Sequence, residues 1–128
     1  MQNRKLLNIE LGRVSAAEYK ELPDTGLVVV LDNIRSAHNV GSAFRTADSF
    51  KIDKIWLCGI CAVPPSAEIH KSALGAEDSV EWEHVDDTMD AISRLKADGY
   101  TIVSAEQAVS SVMLDKFRPD ADGKYAVV

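Results

Sequence analysis

Residues 26–50 read Gly-Leu-Val-Val-Val-Leu-Asp-Asn-Ile-Arg-Ser-Ala-His-Asn-Val-Gly-Ser-Ala-Phe-Arg-Thr-Ala-Asp-Ser-Phe. The short apolar run at the start of this stretch is rich in valine, which is typical of a strand covered on both faces of a parallel sheet. Further along, apolar residues recur three and four positions apart and predict the buried face of a helix: Val40, Ala43, Phe44, Ala47 and Phe50. A buried strand followed by an amphipathic helix favours a βαβ unit.

The rest of the chain continues this alternation. Further strands are predicted over residues 53–58, 80–83, 100–104 and 124–128, and helices over residues 15–22, 86–96 and 105–117. Residues 59–78, between the strands predicted over 53–58 and 80–83, contain two adjacent prolines and Gly75 and are predicted to be irregular. Strands and helices at this spacing favour right-handed crossovers. The predicted fold class is therefore α/β, a three-layer sandwich around a mostly parallel sheet, preceded by an N-terminal helical lead-in over residues 1–25.

Two of the predicted helices carry start signals. Ser15 and Glu18 fit a capping box, in which each side chain accepts a hydrogen bond from the other residue's backbone. Asp86 and Asp87 begin the helix that Gly99 ends, and acidic residues stabilise a helix N-terminus. The spacing in this second helix predicts an inner face of Val85, Met89, Ile92 and Leu95.

The composition is that of one folded domain. Of the 128 residues, 46% are hydrophobic and 27% are charged, and no window approaches the 18 apolar residues of a membrane span. The N-terminus is too polar for a secretory signal, so we predict a cytoplasmic protein. A net charge of −6 argues against a general nucleic-acid binder. However, residues 33–51 contain three basic side chains, Arg35, Arg45 and Lys51, and one acidic side chain, Asp48. This local excess of positive charge allows a small basic site on an acidic protein.

Cys58 and Cys61 form a single Cys-x-x-Cys. A structural zinc site needs four ligands, yet there is no second cysteine pair, and His38, His70 and His84 are not at the spacing of paired ligands. A redox motif would open a helix, whereas this pair closes a predicted strand. We therefore expect two inert cysteines and no metal.

The helix predicted from residue 38 has a polar side that suits an anion. At 100° per residue, about one quadrant of its surface contains His38, Ser42, Arg45 and Ser49. Asn39 lies at the predicted helix start, where its side chain would cap the backbone, and Gly41 lets another group approach closely. Unpaired N–H groups at a helix start attract phosphate. This pattern predicts a seat for a phosphate group beside Arg45.

The pattern Asn39-x-Gly41-x-x-x-Arg45-Thr46-Ala47, after the strand-end pair Asp32-Asn33, resembles the first signature motif of the SpoU/TrmH branch of the SPOUT RNA methyltransferases. The segment His70-Lys-Ser-Ala-Leu-Gly-Ala76 is similar to one that these proteins carry before a Val-x-Trp strand. The resemblance implies a knotted α/β fold and S-adenosylmethionine as methyl donor. It also implies transfer to a ribose 2′-OH of transfer or ribosomal RNA by a homodimer, with the site at the subunit interface.

The resemblance also implies roles for single residues. Arg45 matches the arginine assigned to catalysis, and Asn39 matches the asparagine that supports it. The candidate RNA contacts are Arg35, His38 and Ser42. An arginine keeps its proton above pH 12 and is therefore a poor general base. We expect Arg45 to clamp a phosphate and to lower the cost of the developing alkoxide, and a transient role as base, aided by the substrate phosphate, is the alternative.

The chain departs from the family at its C-terminal end. It stops at Val128, before the Gly-Asn-Glu type motif and the Asn- and Ser-rich segment that thread the knot and wrap the cofactor, and no asparagine follows Asn39. Ser104 and Ala105, after a predicted strand, would supply only part of a cofactor-binding wall. We therefore expect residues 26–128 to be an incomplete SpoU-type methyltransferase domain, truncated before the α/β-knot and inactive alone.

Other interpretations fit parts of the sequence. A non-catalytic RNA-binding or dimerisation module would bind RNA without binding the methyl donor. A generic nucleotide-binding domain fits less well, because the chain lacks Gly-x-Gly-x-x-Gly after the first strand and lacks a Gly-Lys-Ser/Thr loop. His70 and Lys71 are either a solvated pair in a loop or residues that contact a phosphate. Glu106-Gln107 is either a functional pair or only the start of a helix.

Overall fold

A computed structural model describes residues 3–128, and a parallel sheet forms its centre. Five strands lie in the order β3-β2-β1-β5-β4, and each pairing in the described chain is parallel. The strands are β1 (Leu27–Asp32), β2 (Lys54–Cys58), β3 (Trp82–Val85), β4 (Thr101–Val103) and β5 (Tyr125–Val127). The predicted α/β class is confirmed. The third strand begins two residues later than predicted.

Helices cover both faces of the sheet and give the predicted three layers. One face is covered by α1 (Ala16–Lys20), α2 (Ala37–Ser49), α3 (Ala67–Ala73) and α4 (Ala76–Ser79), and the other by α5 (Thr88–Ala97). In β1, Val28 and Val30 pack on the α5 side, whereas Val29 and Leu31 pack on the α2 side. Because neighbouring side chains of a strand point to opposite faces, the apolar run of β1 contributes to both cores.

The N-terminal lead-in contains the capping box that the sequence predicts. The Ser15 hydroxyl accepts a hydrogen bond from the Glu18 N–H, and the Glu18 carboxylate accepts one from the Ser15 N–H. The helix is shorter than predicted, and a 3-10 turn over Asn8–Leu11 precedes it. Tyr19 joins the lead-in to the domain by donating its hydroxyl hydrogen to the Asp48 carbonyl at 3.0 Å.

Helix α2 begins earlier than its apolar pattern indicates. Ser36 caps it, and its hydroxyl accepts a hydrogen bond from the Asn39 N–H at 3.1 Å. The expected cap by Asn39 is therefore wrong, because Asn39 already lies within the first turn. The buried face contains Val40, Phe44 and Ala47, as predicted, but Phe50 follows the helix and is 72% exposed. Phe50 is therefore not part of the buried face.

Residues 59–78 are not irregular, since they contain α3 and α4. Ser66 caps α3 by accepting a hydrogen bond from the Ile69 N–H at 3.3 Å, and Ile69 and Ala73 are buried. These helices are seven and four residues long, too short for a helical repeat to show in the sequence. The two prolines, which favour a loop, lie before α3 and therefore do not interrupt the helix.

Helices α2 and α3 meet almost backbone to backbone at Gly41. A Cβ atom at this position would lie 2.1 Å from the Ser72 Oγ and 2.3 Å from the Ile69 carbonyl oxygen. Next to this contact, the Ser72 hydroxyl donates to the His38 carbonyl at 2.7 Å. The close approach expected at Gly41 is therefore that of helix α3.

Helix α5 begins at the predicted acidic cap. An Asp87 carboxylate oxygen accepts a hydrogen bond from the Met89 N–H at 2.9 Å, and Ala91 and Leu95 are buried beneath the helix. Met89 is 59% exposed, so its expected place on the inner face is wrong. It lies in the first turn of α5, where the buried face is formed by residues further along.

The helix predicted over residues 105–117 is also wrong. Only a 3-10 turn, Leu114–Lys116, is present there, and the neighbouring Val109, Val112 and Met113 are exposed. Glu106 and Gln107 do not begin a helix. Instead, the Ser111 hydroxyl donates to the Glu106 carbonyl at 3.0 Å. Local hydrogen bonds of this kind compete with a helix, and no buried face compensates.

We predict that Gly41→Ala destabilises the domain by about 2 kcal/mol, because the added methyl group forces α2 and α3 apart. This cost exceeds the gain of about 1 kcal/mol that alanine normally brings to a helix. Urea unfolding measures the difference. Ser42→Ala, one position further on the exposed side, is the control and should change stability by less than about 0.5 kcal/mol. Equal stability of Gly41→Ala and the wild type would contradict the close contact.

Candidate functional site

The loop that leads into α2 is anchored on both sides. At the end of β1, Asp32 accepts hydrogen bonds from the Asn33 amide at 2.9 Å and from the Thr88 hydroxyl at 2.5 Å. Asn33 adopts a left-handed conformation with φ of 52°, and its side-chain oxygen accepts a hydrogen bond from the Ile60 N–H at 3.1 Å. These bonds connect the end of β1 with the loop after β2 and with the start of α5. Sequence reasoning missed Thr88, which carries no motif signal.

Arg45 faces solvent from the middle of α2. Its side chain has no hydrogen bond or ion pair with any residue of the described range 3–128. A guanidinium offers five donors in a planar fork that matches a phosphate or a carboxylate. The arrangement therefore leaves the charge of Arg45 available to a ligand.

The other predicted contacts are exposed but do not all lie together. His38 and Ser42 share the polar stripe of Arg45, and the Ser42 hydroxyl donates to the His38 carbonyl at 3.1 Å. Asn39 lies about 120° around the helix and about 9 Å along it from Arg45, so the two side chains do not meet within one chain. Arg35 is exposed just before the helix cap. Helix α2 thus presents one aligned stripe, with Asn39 and Arg35 beside its N-terminal end.

Ser104 and Ala105 lie at the carboxyl end of β4, on the same edge of the sheet as the start of α2. They follow a strand two places from β1, and the axes of these two strands are about 10 Å apart. The Ala105 N–H donates to the Val128 carbonyl at 2.8 Å, so this backbone group completes the sheet. The Ser104 side chain is exposed, and the half-buried Val103 and Val127 lie on the neighbouring strands. The cofactor-binding role of Ser104 and Ala105 stays a prediction.

The two cysteines lie in different cores. Cys58 packs on the α5 side of the sheet, whereas Cys61 packs on the α2 side. The Cys61 sulfur accepts a hydrogen bond from the Ile34 N–H and donates one to the Leu31 carbonyl, both at 3.2 Å. Burial raises the pKa of the Cys58 thiol to about 11. Both thiols therefore contribute to packing.

No group of three His, Cys, Asp or Glu side chains within residues 3–128 is arranged to hold a metal ion. His84 contacts the backbone, since its Nε2 lies 2.8 Å from the Gly59 carbonyl oxygen. Nor does any helix in this part of the chain combine the length and apolar character needed to cross a membrane.

His70 and Lys71 lie on α3, so the expected loop pair is wrong. The Nδ1 of His70 is 2.5 Å from a carboxylate oxygen of Glu77, whose other oxygen accepts a hydrogen bond from the Gly75 N–H at 2.9 Å. Burial raises the pKa of Glu77, but these hydrogen bonds outweigh it and the net pKa is lowered. Lys71 instead pairs with Glu68 at 2.9 Å. The adjacent residues thus have separate partners.

The five-stranded parallel sheet, with the motif helix α2 on one face and α5 on the other, defines a three-layer α/β domain. The chain belongs to the SpoU rRNA Methylase family, whose sequence model matches residues 26–128. The recognition made from the Asn39–Ala47 motif is therefore confirmed.

Relatives of known name and structure agree with this assignment. The chain is 33% identical over 99 residues to the 23S rRNA (guanosine-2′-O-)-methyltransferase RlmB of Nitrosomonas europaea, covering 74% of this chain and 38% of that protein. An rRNA methyltransferase from Sinorhizobium meliloti superposes with a TM-score of 0.71 at 24% identity, over 85% of this chain and 42% of that one. The A. aeolicus TrmH/SpoU tRNA modifying enzyme superposes with a TM-score of 0.71 at 23% identity, over 88% of this chain and 55% of that one. The chain thus spans about half of these relatives or less.

We predict that neither thiol reacts with Ellman's reagent at pH 8 while the protein is folded. The Cys58 pKa of about 11 leaves almost no thiolate, and both side chains are buried. In denaturant, both thiols should react at once. Mild oxidation should leave the monomer free of an internal disulfide, because the side chains lie in separate cores. A rapidly formed Cys58–Cys61 disulfide in the folded protein would contradict this arrangement.

Proposed function

We propose that residues 26–128 are the RNA-binding part of an S-adenosylmethionine-dependent ribose 2′-O-methyltransferase that acts on transfer or ribosomal RNA in the cytoplasm. The observation that carries the proposal is Arg45, exposed on the family's motif helix without an ion-pair partner in the described chain. The name of the Nitrosomonas europaea relative, a guanosine-2′-O-methyltransferase of 23S rRNA, supports the choice of the ribose hydroxyl.

Arg45 acts on the RNA through charge and position. Its guanidinium binds a phosphate next to the reacting ribose in a bidentate manner and holds the 2′-OH in place. The same positive charge stabilises the negative charge that develops on the ribose oxygen as its proton is lost. His38 and Ser42, on the same stripe, and Arg35, before the helix, contact the neighbouring RNA backbone. Asn39 supports the reacting group from the first turn of α2.

S-adenosylmethionine supplies an electrophilic methyl group to the ribose oxygen. A related rRNA methyltransferase from Sinorhizobium meliloti, 25% identical with a TM-score of 0.70, has been solved with AdoMet bound. In the present chain, Ser104 and Ala105 would form one wall for this molecule, and Val103 and Val127 would add apolar surface beside it. These residues make up only part of a pocket, which is why we propose that residues 1–128 do not bind the donor tightly and are inactive alone.

The proposed active unit is a homodimer with the site at the subunit interface, as the family resemblance implies. Within one chain, helix geometry separates Asn39 from Arg45 by about 9 Å. Two surfaces that approach each other across an interface would allow both side chains to face one nucleotide. This separation supports a site completed by a second copy.

We predict that Arg45→Ala in the longest natural form of the protein lowers the RNA methylation rate by about 10²- to 10³-fold, since it removes the charge that stabilises the developing oxyanion. The free energy of unfolding should change by less than about 0.5 kcal/mol, because the residue is exposed. Transfer of a labelled methyl group and urea unfolding measure the two effects. Arg45→Lys should restore a fraction of the rate, and Lys96→Ala, on α5 across the sheet, is the charge control. Parallel losses of stability and rate would refute the assignment.

Calorimetric titration of S-adenosylmethionine tests the division between the RNA part and the cofactor part. We expect no saturable binding to residues 1–128 and saturable binding to the longest natural form that methylates RNA. Tight binding to residues 1–128 would show that the cofactor site is complete within them. Binding of RNA but never of the donor would instead favour a non-catalytic RNA-binding or dimerisation module.

A further inference from the structure

The adjacent residues His70 and Lys71 point to different surfaces of α3. Ile69 and Ala73 are buried against the core, and Ser72 faces α2 through its hydrogen bond to the His38 carbonyl. His70 lies about 160° around the helix from Ser72 and lines a groove of about 630 Å³ beside Trp82. His70 therefore lies on the side of α3 that is remote from the motif helix.

Lys71 is drawn in the other direction by Glu68. Glu68 lies one turn before Ser72 and only about 40° from it around α3, so it is on the α2 side. Its carboxylate accepts a hydrogen bond from the Lys71 ammonium at 2.9 Å. That hydrogen bond is the main reason why the pKa of Glu68 is lowered, and the proximity of His38 contributes as well. The ammonium of Lys71 is thus drawn toward the side of α3 that faces α2.

This position extends the positive surface of α2 onto a second helix. Arg35 lies before α2 and Arg45 lies on it, and Lys71 adds a positive charge on α3, the helix that packs against α2 at Gly41. The Lys71 and Glu68 side chains are 68% and 63% exposed, so their ion pair is weak and can be exchanged for another partner. An RNA phosphate, which carries a full charge and several acceptor oxygens, is such a partner.

We propose that Lys71 is a further phosphate-binding residue, which receives the RNA backbone as it crosses from α2 to α3, and that Glu68 holds its ammonium when RNA is absent. The inference rests on the proposed RNA substrate and adds a contact outside the motif helix. Binding transfers the Lys71 ammonium from the Glu68 carboxylate to a phosphate. Glu68 therefore opposes RNA binding twice, through its own negative charge and by competing for Lys71.

The test measures binding of a fluorescein-labelled RNA stem-loop to residues 1–128 by fluorescence polarisation at several salt concentrations. Each phosphate contact adds about one to the slope of log affinity against log salt. For Lys71→Ala, the affinity loss between about 50 and 200 mM salt should therefore be about fourfold smaller than for the wild type. Lys96→Ala removes the same charge from α5, on the opposite face, and should leave the slope unchanged. Circular dichroism checks that the variants are folded.

The variant Glu68→Gln should change the RNA affinity in the opposite direction, and it shows whether Glu68 acts through Lys71. It should tighten RNA binding, and most of that gain should disappear when Lys71→Ala is added, because the gain depends on releasing Lys71. An undiminished gain in the double variant, or a Lys71→Ala slope equal to that of Lys96→Ala, would overturn the inference while leaving the proposed function intact. A wild-type chain without salt-dependent RNA binding would refute both this inference and the proposed RNA-binding role.

Discussion

The contact between α2 and α3 at Gly41 is the constraint on which the candidate site depends. The Ile69 carbonyl and the Ser72 hydroxyl occupy the space that any other residue at this position would need. This contact fixes the rotation of α2, so that Val40, Phe44 and Ala47 face the core while the polar stripe faces solvent. The same packing brings Glu68 close to His38, at the N-terminal end of the stripe, and Glu68 holds the Lys71 ammonium. Gly41, a residue of the family's motif, thus acts through helix packing.

Much of the fold could be predicted from the sequence because its strongest signals are local. The valine-rich run of β1 and the helical spacing of α2 each reflect burial within a single element. Asp87 likewise acts on its own helix through a cap. Signals of this kind fail when an element is short or lacks a core-facing side. Helix α3 has only seven residues, and the apolar residues after β4 find no core. The sequence therefore predicts an irregular segment where α3 lies and a helix over residues 105–117, and both predictions are wrong.

The candidate site shows the same limit. The exposure of Arg45, His38 and Ser42 follows from the helical repeat, and the structure bears it out. The partners of these residues do not follow from any repeat, because they come from segments far away along the chain. Thr88 bonds to Asp32 across 56 positions, and Ser72 reaches the His38 carbonyl across 34. Local patterns therefore indicate which side chains are available but not what holds them in place.

The position of β5 has a consequence for how the chain folds during synthesis. This strand lies between β1 and β4, although it is the last strand of the described chain. While a ribosome is still producing the residues before it, β1 has no neighbour on that side and exposes an unpaired, valine-rich edge. Pairing of β5 with β1 joins residues almost 100 positions apart, as in Leu27 with Tyr125, and such distant contacts form late. The nascent chain therefore passes through a stage in which the valine-rich β1 is open to other chains, and the pairing of β5 with β1 ends this stage.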